Sequence, residues 1–284
     1  MGVTFAARQQ TLLFSVTESQ LVSHPDAETI ILVTNDDGIT APGIRNLVEA
    51  VRGLGTVVVV APDSPQSGMG HAITIGHPLR LERVDIFGPD IEAWQCSGTP
   101  VDCVKLARCQ VLHRPPDVCV SGINHGSNSS INVIYSGTMS AAMEAAIEGV
   151  PSVGFSLLDY RFEAEFEVAR FVARTVTQQM LGDQLPAHSL LNVNIPKVGM
   201  DGFKGLKLCR QAKARWAEEF EHRVDPRGRD YYWMTGRFIN GDDGDDADVK
   251  ALGDGYASVV PVRFDLTDER LGAELRDRWK DLLQ

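Results

Sequence analysis

Short apolar runs rich in β-branched residues recur along the chain, and most are followed by a polar loop. Such runs are typical of strands buried on both faces of a parallel sheet. Stretches of helical length lie between most of them, so the pattern predicts an α/β fold with a mostly parallel sheet. The predicted strands are Ile30–Val33, Thr56–Ala61, Asp117–Ser121, Pro151–Leu157 and Leu190–Pro196. The predicted helices are Pro42–Arg52, Pro100–Arg108, Met139–Glu148 and Arg161–Leu181.

The remaining segments follow other patterns. Residues 73–95 alternate between apolar and polar positions, which predicts hairpins, and residues 203–262 indicate irregular strands and hairpins. A last helix is predicted over 268–283, with Thr267 as its N-cap. No linker rich in Pro, Gly and Ser interrupts residues 30–284, so we predict one domain there. Residues 1–29 form an N-terminal extension that fits no targeting pattern.

Composition narrows the class of protein. The chain has 284 residues, 43% hydrophobic content and a formal net charge of -11. The negative charge argues against a nucleic-acid polymer as partner. No stretch approaches the roughly 20 apolar residues of a membrane span, so no membrane partner is expected. The five cysteines are odd in number and lack Cys-x-x-Cys spacing, which indicates reduced thiols and a cytoplasmic protein.

The first candidate for chemistry is Asn35-Asp36-Asp37-Gly38, directly after the first predicted strand. Unpaired charges are costly in a core, so the two carboxylates belong beyond the carboxyl end of the strand, where open α/β sheets bind ligands. No Lys or Arg lies beside them in the sequence, which favours a hard cation as their partner. The alternative is a capped turn without a ligand, because Asn and Asp are common in turns and caps.

Two more predicted strand ends carry small and polar residues. The loop after the second strand contains Ser67, and its Gly68 and Gly70 allow backbone amides to approach an anion. After the strand Asp117–Ser121, Asn124 and Asn128 offer oxygens to a metal or amides to a phosphate, with plain turn formation as the alternative.

A fourth polar segment, Ser136-Gly137-Thr138, opens the alanine-rich helix. The first turn of a helix presents free N–H groups and the positive end of the helix dipole, which together form an anion site. Ser136 and Thr138 are also good capping residues, and the two interpretations are compatible.

The side chains at these strand ends offer oxygen ligands, which suit Mg²⁺, Mn²⁺ or Ca²⁺ better than zinc. Two carboxylates leave a divalent ion roughly neutral, with open positions for a water and a phosphate oxygen. Together with the helix N-terminus, these parts fit phosphoester hydrolysis. Gly-x-Ser-x-Gly, Walker A and His-Glu-x-x-His sequences are absent. The acidic run 242–246 lacks EF-hand spacing, which indicates a solvated loop.

Several motifs, in the same order along the chain, resemble those of the SurE survival protein family. They are Asn35-Asp36-Asp37-Gly38, Ala41-Pro42-Gly43, Ala61-Pro62-Asp63 with Ser67-Gly68, Gly98-Thr99-Pro100 with Asp102-Cys103-Val104, Ser121-Gly122-Ile123-Asn124 with Gly126 and Asn128, Tyr135-Ser136-Gly137-Thr138, and Asp225-Pro226-Arg227-Gly228 with Tyr232-Trp233. The resemblance runs from about residue 30 to the C-terminus. It implies a Rossmann-like three-layer α/β/α sandwich with protruding β-hairpins and a C-terminal oligomerisation segment.

The resemblance also implies an activity. Members of the family are metal-dependent nucleotidases that remove phosphate from nucleoside 5′- and 3′-monophosphates, and some also act on short polyphosphate. One divalent ion, Mg²⁺ or Mn²⁺, is implied on Asp36, Asp37, Ser67 and Asn124, with the two aspartates as catalytic residues. A homodimer or homotetramer with exchanged C-terminal segments is implied as well.

We therefore expect Asn128, Ser136, Gly137 and Thr138 to orient the phosphate while water attacks it in line. Whether an aspartate acts as a base or as the nucleophile stays open at this point. The alternative is a non-catalytic Rossmann-like module that binds a nucleotide without cleaving it. The clustered acids count against that alternative, because without a metal they would repel phosphate.

Overall fold

The computed structural model describes residues 29–161, 163–280 and 282, so the predicted extension lies outside the described residues apart from Thr29. Most of the chain forms one nine-stranded sheet with helices on both faces, and a long hairpin forms a second sheet. The strands are β1 (Ile30–Thr34), β2 (Thr56–Pro62), β3 (Leu81–Val84), β4 (Glu92–Cys96), β5 (Val118–His125), β6 (Ser152–Leu157), β7 (Leu190–Ile195), β8 (Leu206–Leu208), β9 (Ala214–Val224), β10 (Asp230–Asn240) and β11 (Ala257–Pro261). The helices are α1 (Pro42–Val51), α2 (Pro100–Leu106), α3 (Gly137–Ile147), α4 (Glu167–Gly182), α5 (Asp248–Gly253) and α6 (Glu269–Arg278).

The strand order of the large sheet is β3-β4-β2-β1-β5-β6-β7-β11-β8. The six strands from β4 to β7 are parallel, whereas β3 and β11 run antiparallel to β4 and β7. The strand order changes direction at β1, because β2 and β4 lie on one side of β1, whereas β5, β6 and β7 lie on its other side. A crevice forms outside the carboxyl ends of the strands at such a switch point. The carboxyl ends of β1 and β5 therefore position the candidate site.

Alternate residues of β1 face opposite layers of helices. Ile31 and Val33 are buried in a cluster with α1 and α4, and Leu32 is buried in a second cluster with α2 and α3. Strands buried on both faces need apolar residues at every position, which explains the unbroken apolar runs. This arrangement confirms the predicted three-layer α/β/α sandwich.

The long hairpin formed by β9 and β10 projects a mostly exposed surface. The sequence predicts irregular strands and hairpins there. A hairpin is present, but its two strands pair without interruption over eleven residues each. The short helix α5 is absent from the prediction, because six residues are too few to show a helical period. Helix α6 has no buried residue, and its N-cap is Asp268 rather than the predicted Thr267.

Two further boundaries differ from the prediction. Strand β5 continues to His125 instead of ending at Ser121, with an irregular register between Ser121 and Asn124. Helix α4 begins at Glu167, six residues later than predicted. Within residues 73–95, β3 and β4 form one antiparallel hairpin, as predicted, and β4 also adds to the sheet parallel to β2. None of the helices in the described part of the chain has the length and apolar character needed to cross a membrane.

The acidic run 242–246 is not simply a solvated loop. The Asp242 side chain is only 8% exposed, and both of its oxygens accept hydrogen bonds from the guanidinium of Arg210. These bonds hold the pKa of Asp242 well below its usual range. Arg210 also pairs with the exposed Asp246. The first acid of the run therefore fixes the base of the long hairpin to the segment that follows β8.

Candidate active site at the carboxyl edge of the sheet

The turn after β1 is built by local hydrogen bonds. The side-chain amide of Asn35 donates to the carbonyl of Gly38 at 2.9 Å, and Gly38 has a φ of +94°, which favours glycine. The next residue, Ile39, donates its N–H to the carbonyl of Pro62 at the end of β2. The turn therefore presents Asp36 and Asp37 at the switch point of the sheet.

Asp36 is only 4% exposed and lies against the N-terminus of α3. The hydroxyl of Thr138 donates to its Oδ1. A Cβ on Gly137 would lie 2.7 Å from the Asp36 Cβ, so this close approach requires glycine. Burial and the neighbouring Asp37 raise the pKa of Asp36 to about 6, although the Thr138 hydrogen bonds oppose the rise.

Asp37 is partly exposed and lies beside the end of β5. Its Oδ2 is 3.4 Å from both the backbone nitrogen and the ring Nδ1 of His125. The His125 ring packs edge-on against Phe166, with 5.4 Å between the ring centroids, and its Nε2 is buried without a hydrogen-bond partner among the described residues. The sequence motifs alone assign His125 no role, but the structure places it in contact with a candidate catalytic residue.

Ser67 lies on an exposed loop that is tied to the acid pair. The backbone N–H of the preceding residue, Gln66, donates to the carbonyl of Asp36 at 2.8 Å. Gly68 and Gly70 both have positive φ angles, which let the loop turn sharply after Ser67. The structure thus brings the Ser67 segment to the backbone of Asp36.

Asn124 lies within β5 rather than in a loop after it. Its Nδ2 donates to the carbonyl of Gly126 at 3.0 Å, and this bond leaves the side-chain oxygen as an acceptor. The strand passes close to α1, because a Cβ on Gly43 would lie 1.9 Å from the Ile123 carbonyl oxygen. Asn124 and His125 are therefore held beside the turn that carries Asp37.

The proposed phosphate-binding residues divide into two groups. Ser136 caps α3 by accepting the Met139 N–H at 3.0 Å, and Thr138 contacts Asp36, so both lie at the end of α3 that approaches Asp36. Asn128 is buried in a separate network, where its Nδ2 donates to Ser156 at 2.8 Å. An amide nitrogen has two hydrogens, so the second one remains for a phosphate.

Two buried amides, which belong to none of the sequence motifs, hold Asn128 in place. Asn194 accepts the backbone N–H of Asn128 at 2.8 Å, and Asn192 donates to its carbonyl at 2.8 Å. Their signal in the sequence is the pair of amides inside the otherwise apolar strand Leu190–Ile195, because buried polar groups need partners.

Asp248 of α5 is a further supporting residue that the motifs do not reveal. It is fully buried, and its carboxylate accepts the backbone N–H groups of Ser130 at 2.8 Å and Ala212 at 3.0 Å. Trp216, near the base of the long hairpin, donates to Asn132 at 2.7 Å. The loop between β5 and α3 is therefore attached to the base of the hairpin.

The acid pair fits a divalent cation. No Lys or Arg among the described residues forms an ion pair with Asp36 or Asp37, and the two carboxylates repel each other. The described residues contain no group of three or more His, Cys, Asp and Glu side chains that could hold a metal. A metal here would thus also need hydroxyl and amide oxygens, which Ser67 and Asn124 offer. Such an all-oxygen donor set is typical of Mg²⁺ and Mn²⁺ sites.

Comparison with known proteins agrees with the motifs. The family model described as Survival protein SurE matches residues 31–218. The chain belongs to the SurE family. The 5′-nucleotidase SurE of Christiangramia forsetii is 63% identical over 239 residues, which are 84% of this chain and 92% of the relative. The protein of the same name from Flavobacterium psychrophilum is 58% identical over 241 residues, which are 85% of this chain and 94% of the relative.

A solved structure shares the fold of this SurE-family chain. The crystal structure of the SurE protein from Aquifex aeolicus superposes with a TM-score of 0.76 at 37% sequence identity. The match covers 88% of this chain and 99% of the other. The α/β architecture with a largely parallel sheet is therefore that of the family.

Proposed function

We propose that this chain is a metal-dependent phosphomonoesterase that hydrolyses nucleoside 5′-monophosphates, and also 3′-monophosphates, to nucleoside and phosphate. The observation that carries the proposal is the pair Asp36 and Asp37, which no Lys or Arg of the described residues neutralises and which lies at the N-terminus of α3. Relatives that share 56–63% of their residues with this chain are named 5′-nucleotidase SurE. Short polyphosphate is a further substrate in this proposal.

The site residues have separate roles in the proposed reaction. Asp36, Asp37, Ser67 and Asn124 would hold one divalent cation, Mg²⁺ or Mn²⁺. Such a cation, when bound, offsets the charge of the phosphate and lowers the pKa of a water. The two carboxylates serve catalysis by fixing the positive charge at the end of β1, where the phosphate must approach.

The phosphate would be oriented at the first turn of α3. Ser136, Gly137 and Thr138 combine hydroxyl groups with the positive end of the helix dipole, which stabilises negative charge. Asn128 would add an amide hydrogen from the loop after β5. Because these groups are held by packing before any substrate binds, they need little rearrangement when charge develops on the phosphate.

The test is phosphate release from a panel of nucleoside monophosphates. The protein is first stripped with a chelator, and Mg²⁺ or Mn²⁺ is then restored. We expect release to return only with the metal and to fall by at least about a hundredfold in Asp37→Asn. Asp183→Asn is the matched control, because Asp183 is a surface carboxylate at the end of α4 whose one side-chain hydrogen bond among the described residues comes from Gln179.

The alternative function, a module that binds a nucleotide without cleaving it, predicts a different result. Folded protein would bind a nucleoside monophosphate stoichiometrically, and no metal would yield phosphate release. That combination would overturn the proposed hydrolysis while leaving the fold assignment intact.

The C-terminal part is proposed to join two or four copies of this chain. The long hairpin exposes several large apolar side chains, and α6 buries none of its residues within the chain. The exposed residues of the hairpin include Phe220, Tyr232, Trp233 and Met234. Large apolar side chains exposed on both faces of a hairpin are candidates for protein interaction, and a homodimer or homotetramer would cover them.

Analytical ultracentrifugation tests this assembly. The double variant Phe220→Ser with Trp233→Ser is expected to sediment as a monomer, whereas Ile75→Ser, which removes an 84% exposed apolar residue elsewhere, should leave the oligomer intact. A wild-type monomer at micromolar concentration would contradict the proposal.

A cytoplasmic location completes the proposal. All five cysteines are free thiols in the structure, and four of them are buried. Reduced, unpaired cysteines are typical of cytosolic proteins. Fractionation of cells that produce the full chain would test this location, and recovery in a membrane or secreted fraction would contradict it.

A further inference from the structure

The loop that carries Ser67 is held at two places. It leaves the sheet after β2 and returns at β3, and most of its residues are exposed. Its first anchor is the hydrogen bond from Gln66 to the carbonyl of Asp36. Its second anchor begins at His71, four residues beyond Ser67, where the chain reaches the middle of α3.

The partner of His71 is Glu144, a carboxylate that is only 4% exposed on α3. Nε2 of His71 lies 2.8 Å from Oε2 of Glu144, and Lys105 of α2 donates to the other oxygen. Burial acts to raise the pKa of Glu144, but the hydrogen bonds from His71 and Lys105 outweigh it and hold the pKa below its ordinary value. Glu144 is thus a charged anchor, buried and fully partnered.

Two neighbouring contacts fix the same part of the loop. The hydroxyl of Thr99 donates to the carbonyl of Ala72 at 2.7 Å, and the N–H of Thr74 donates to Asp102 at 3.1 Å. Residues 71–74 are therefore attached to both α2 and α3. The glycine-rich stretch 67–70, between Gln66 and this attachment, forms no hydrogen bond with the residues that the structure describes.

We propose that the His71–Glu144 contact is a positioning contact that sets where Ser67 lies relative to Asp36. The helix that bears Glu144 also bears Gly137 and Thr138, which contact Asp36. Helix α3 thus contacts Asp36 directly and, through His71, holds the loop that carries Ser67, a further ligand of the proposed metal. The inference rests on the proposed metal site and assigns these two residues a role in cation affinity.

Calorimetric titration with Mn²⁺, without substrate, tests the proposal. We expect His71→Ala to weaken Mn²⁺ binding about tenfold, as loss of a group that orients a ligand commonly does. His71→Gln keeps a side-chain donor, so its affinity should return to within about threefold of the wild type. His77→Ala is the matched control, because the exposed His77 lies in the same loop and forms no hydrogen bond with any residue that the structure describes.

The thermal midpoint of the metal-free proteins and the separate kcat and KM values complete the experiment. A positioning role predicts that Mn²⁺ affinity falls in His71→Ala and recovers in His71→Gln, whatever the change in the metal-free midpoint. Unchanged affinity in His71→Ala, or equal losses in all three variants, would overturn the proposal. Failure of the wild type itself to bind Mn²⁺ and to release phosphate would instead refute the proposed function.

Discussion

Replacement of Asp36 by asparagine should stabilise the metal-free protein while it abolishes turnover. Asp36 is 4% exposed and faces Asp37 without a neutralising Lys or Arg among the described residues. Its pKa is raised from 3.8 to about 6, so at pH 7.5 the folded protein must hold an ionised carboxylate in an unfavourable environment. Asparagine removes this charge at nearly constant volume.

The magnitude follows from the pKa. A rise from 3.8 to about 6, at about 1.4 kcal/mol per pH unit, amounts to about 3 kcal/mol of destabilisation above pH 6. The new amide would point N–H groups toward the N–H groups of α3, which costs about 1 kcal/mol of hydrogen bonding. The net gain in Asp36→Asn is therefore about 2 kcal/mol, or an increase in Tm of about 3 °C for a chain of this size.

The effect of Asp36 on the free energy of unfolding changes with pH in a definite direction. Between pH 3.8 and 6 the folded wild type binds more protons than the unfolded chain, so its free energy of unfolding falls as the pH rises through this window. Below pH 3.8 Asp36 is protonated in both the folded and the unfolded state, so it does not lower the free energy of unfolding of the wild type. The difference in stability between Asp36→Asn and wild type should be smallest near pH 4 and level off above pH 6.

Scanning calorimetry with chelator and then with Mn²⁺ gives the decisive comparison. Mn²⁺ at a hundred times its Kd should stabilise the wild type by about 2.7 kcal/mol, whereas the variant has lost a ligand and should gain little. The order of the two Tm values is then expected to reverse when metal is added. A variant that is less stable than wild type in chelator, or that gains equally from Mn²⁺, would refute the reasoning.

Two more substitutions test the packing around the site. Gly137→Ala should lower kcat/KM at least tenfold, because its Cβ would lie 2.7 Å from the Asp36 Cβ and displace the carboxylate. Gly182→Ala should leave kcat/KM unchanged, because within the described part of the chain its Cβ would meet nothing within 4 Å beyond its own helix and chain neighbours. Equal effects of the two substitutions would contradict this account. Asp248→Ala should lower the free energy of unfolding by about 3 kcal/mol in urea titrations, because three backbone N–H groups lose their acceptor. A loss below 1 kcal/mol would show that this carboxylate does not hold the loop.

The parallel strands and their polar ends are predictable because both signals are local. An apolar run such as Thr56–Ala61 has few alternatives to a buried strand, and carboxylates directly after such a run must leave the core. The extension of β5 is not predictable in this way. Gly122 normally suggests the end of a strand, yet here it lets the backbone pass close to the Phe155 carbonyl, where a Cβ would lie at 2.4 Å.

The contacts that support the site depend on residues far apart in sequence. Glu144 meets His71 across 73 positions, and Asp248 meets Ser130 across 118. A single buried carboxylate on a helix carries no signal about which loop it will contact, because the partner is set by how the layers pack. The sequence therefore predicts the candidate ligands, and only the folded structure identifies the groups that orient them.

The buried carboxylates of this chain separate into two kinds, and the separation itself points to the active site. Glu144 and Asp242 receive cations or several N–H groups, and these partners lower their pKa values. Such pairs are satisfied within the fold and need no ligand. The pKa of Asp36 shifts in the opposite direction, because burial raises it, Asp37 adds repulsion, and no Lys or Arg of the described residues pairs with Asp36 as one does with Glu144 and Asp242. Asp36 therefore lies where a divalent cation would supply the missing positive charge. Removal of the Asp36 charge should for this reason raise the stability of the metal-free protein and abolish its activity.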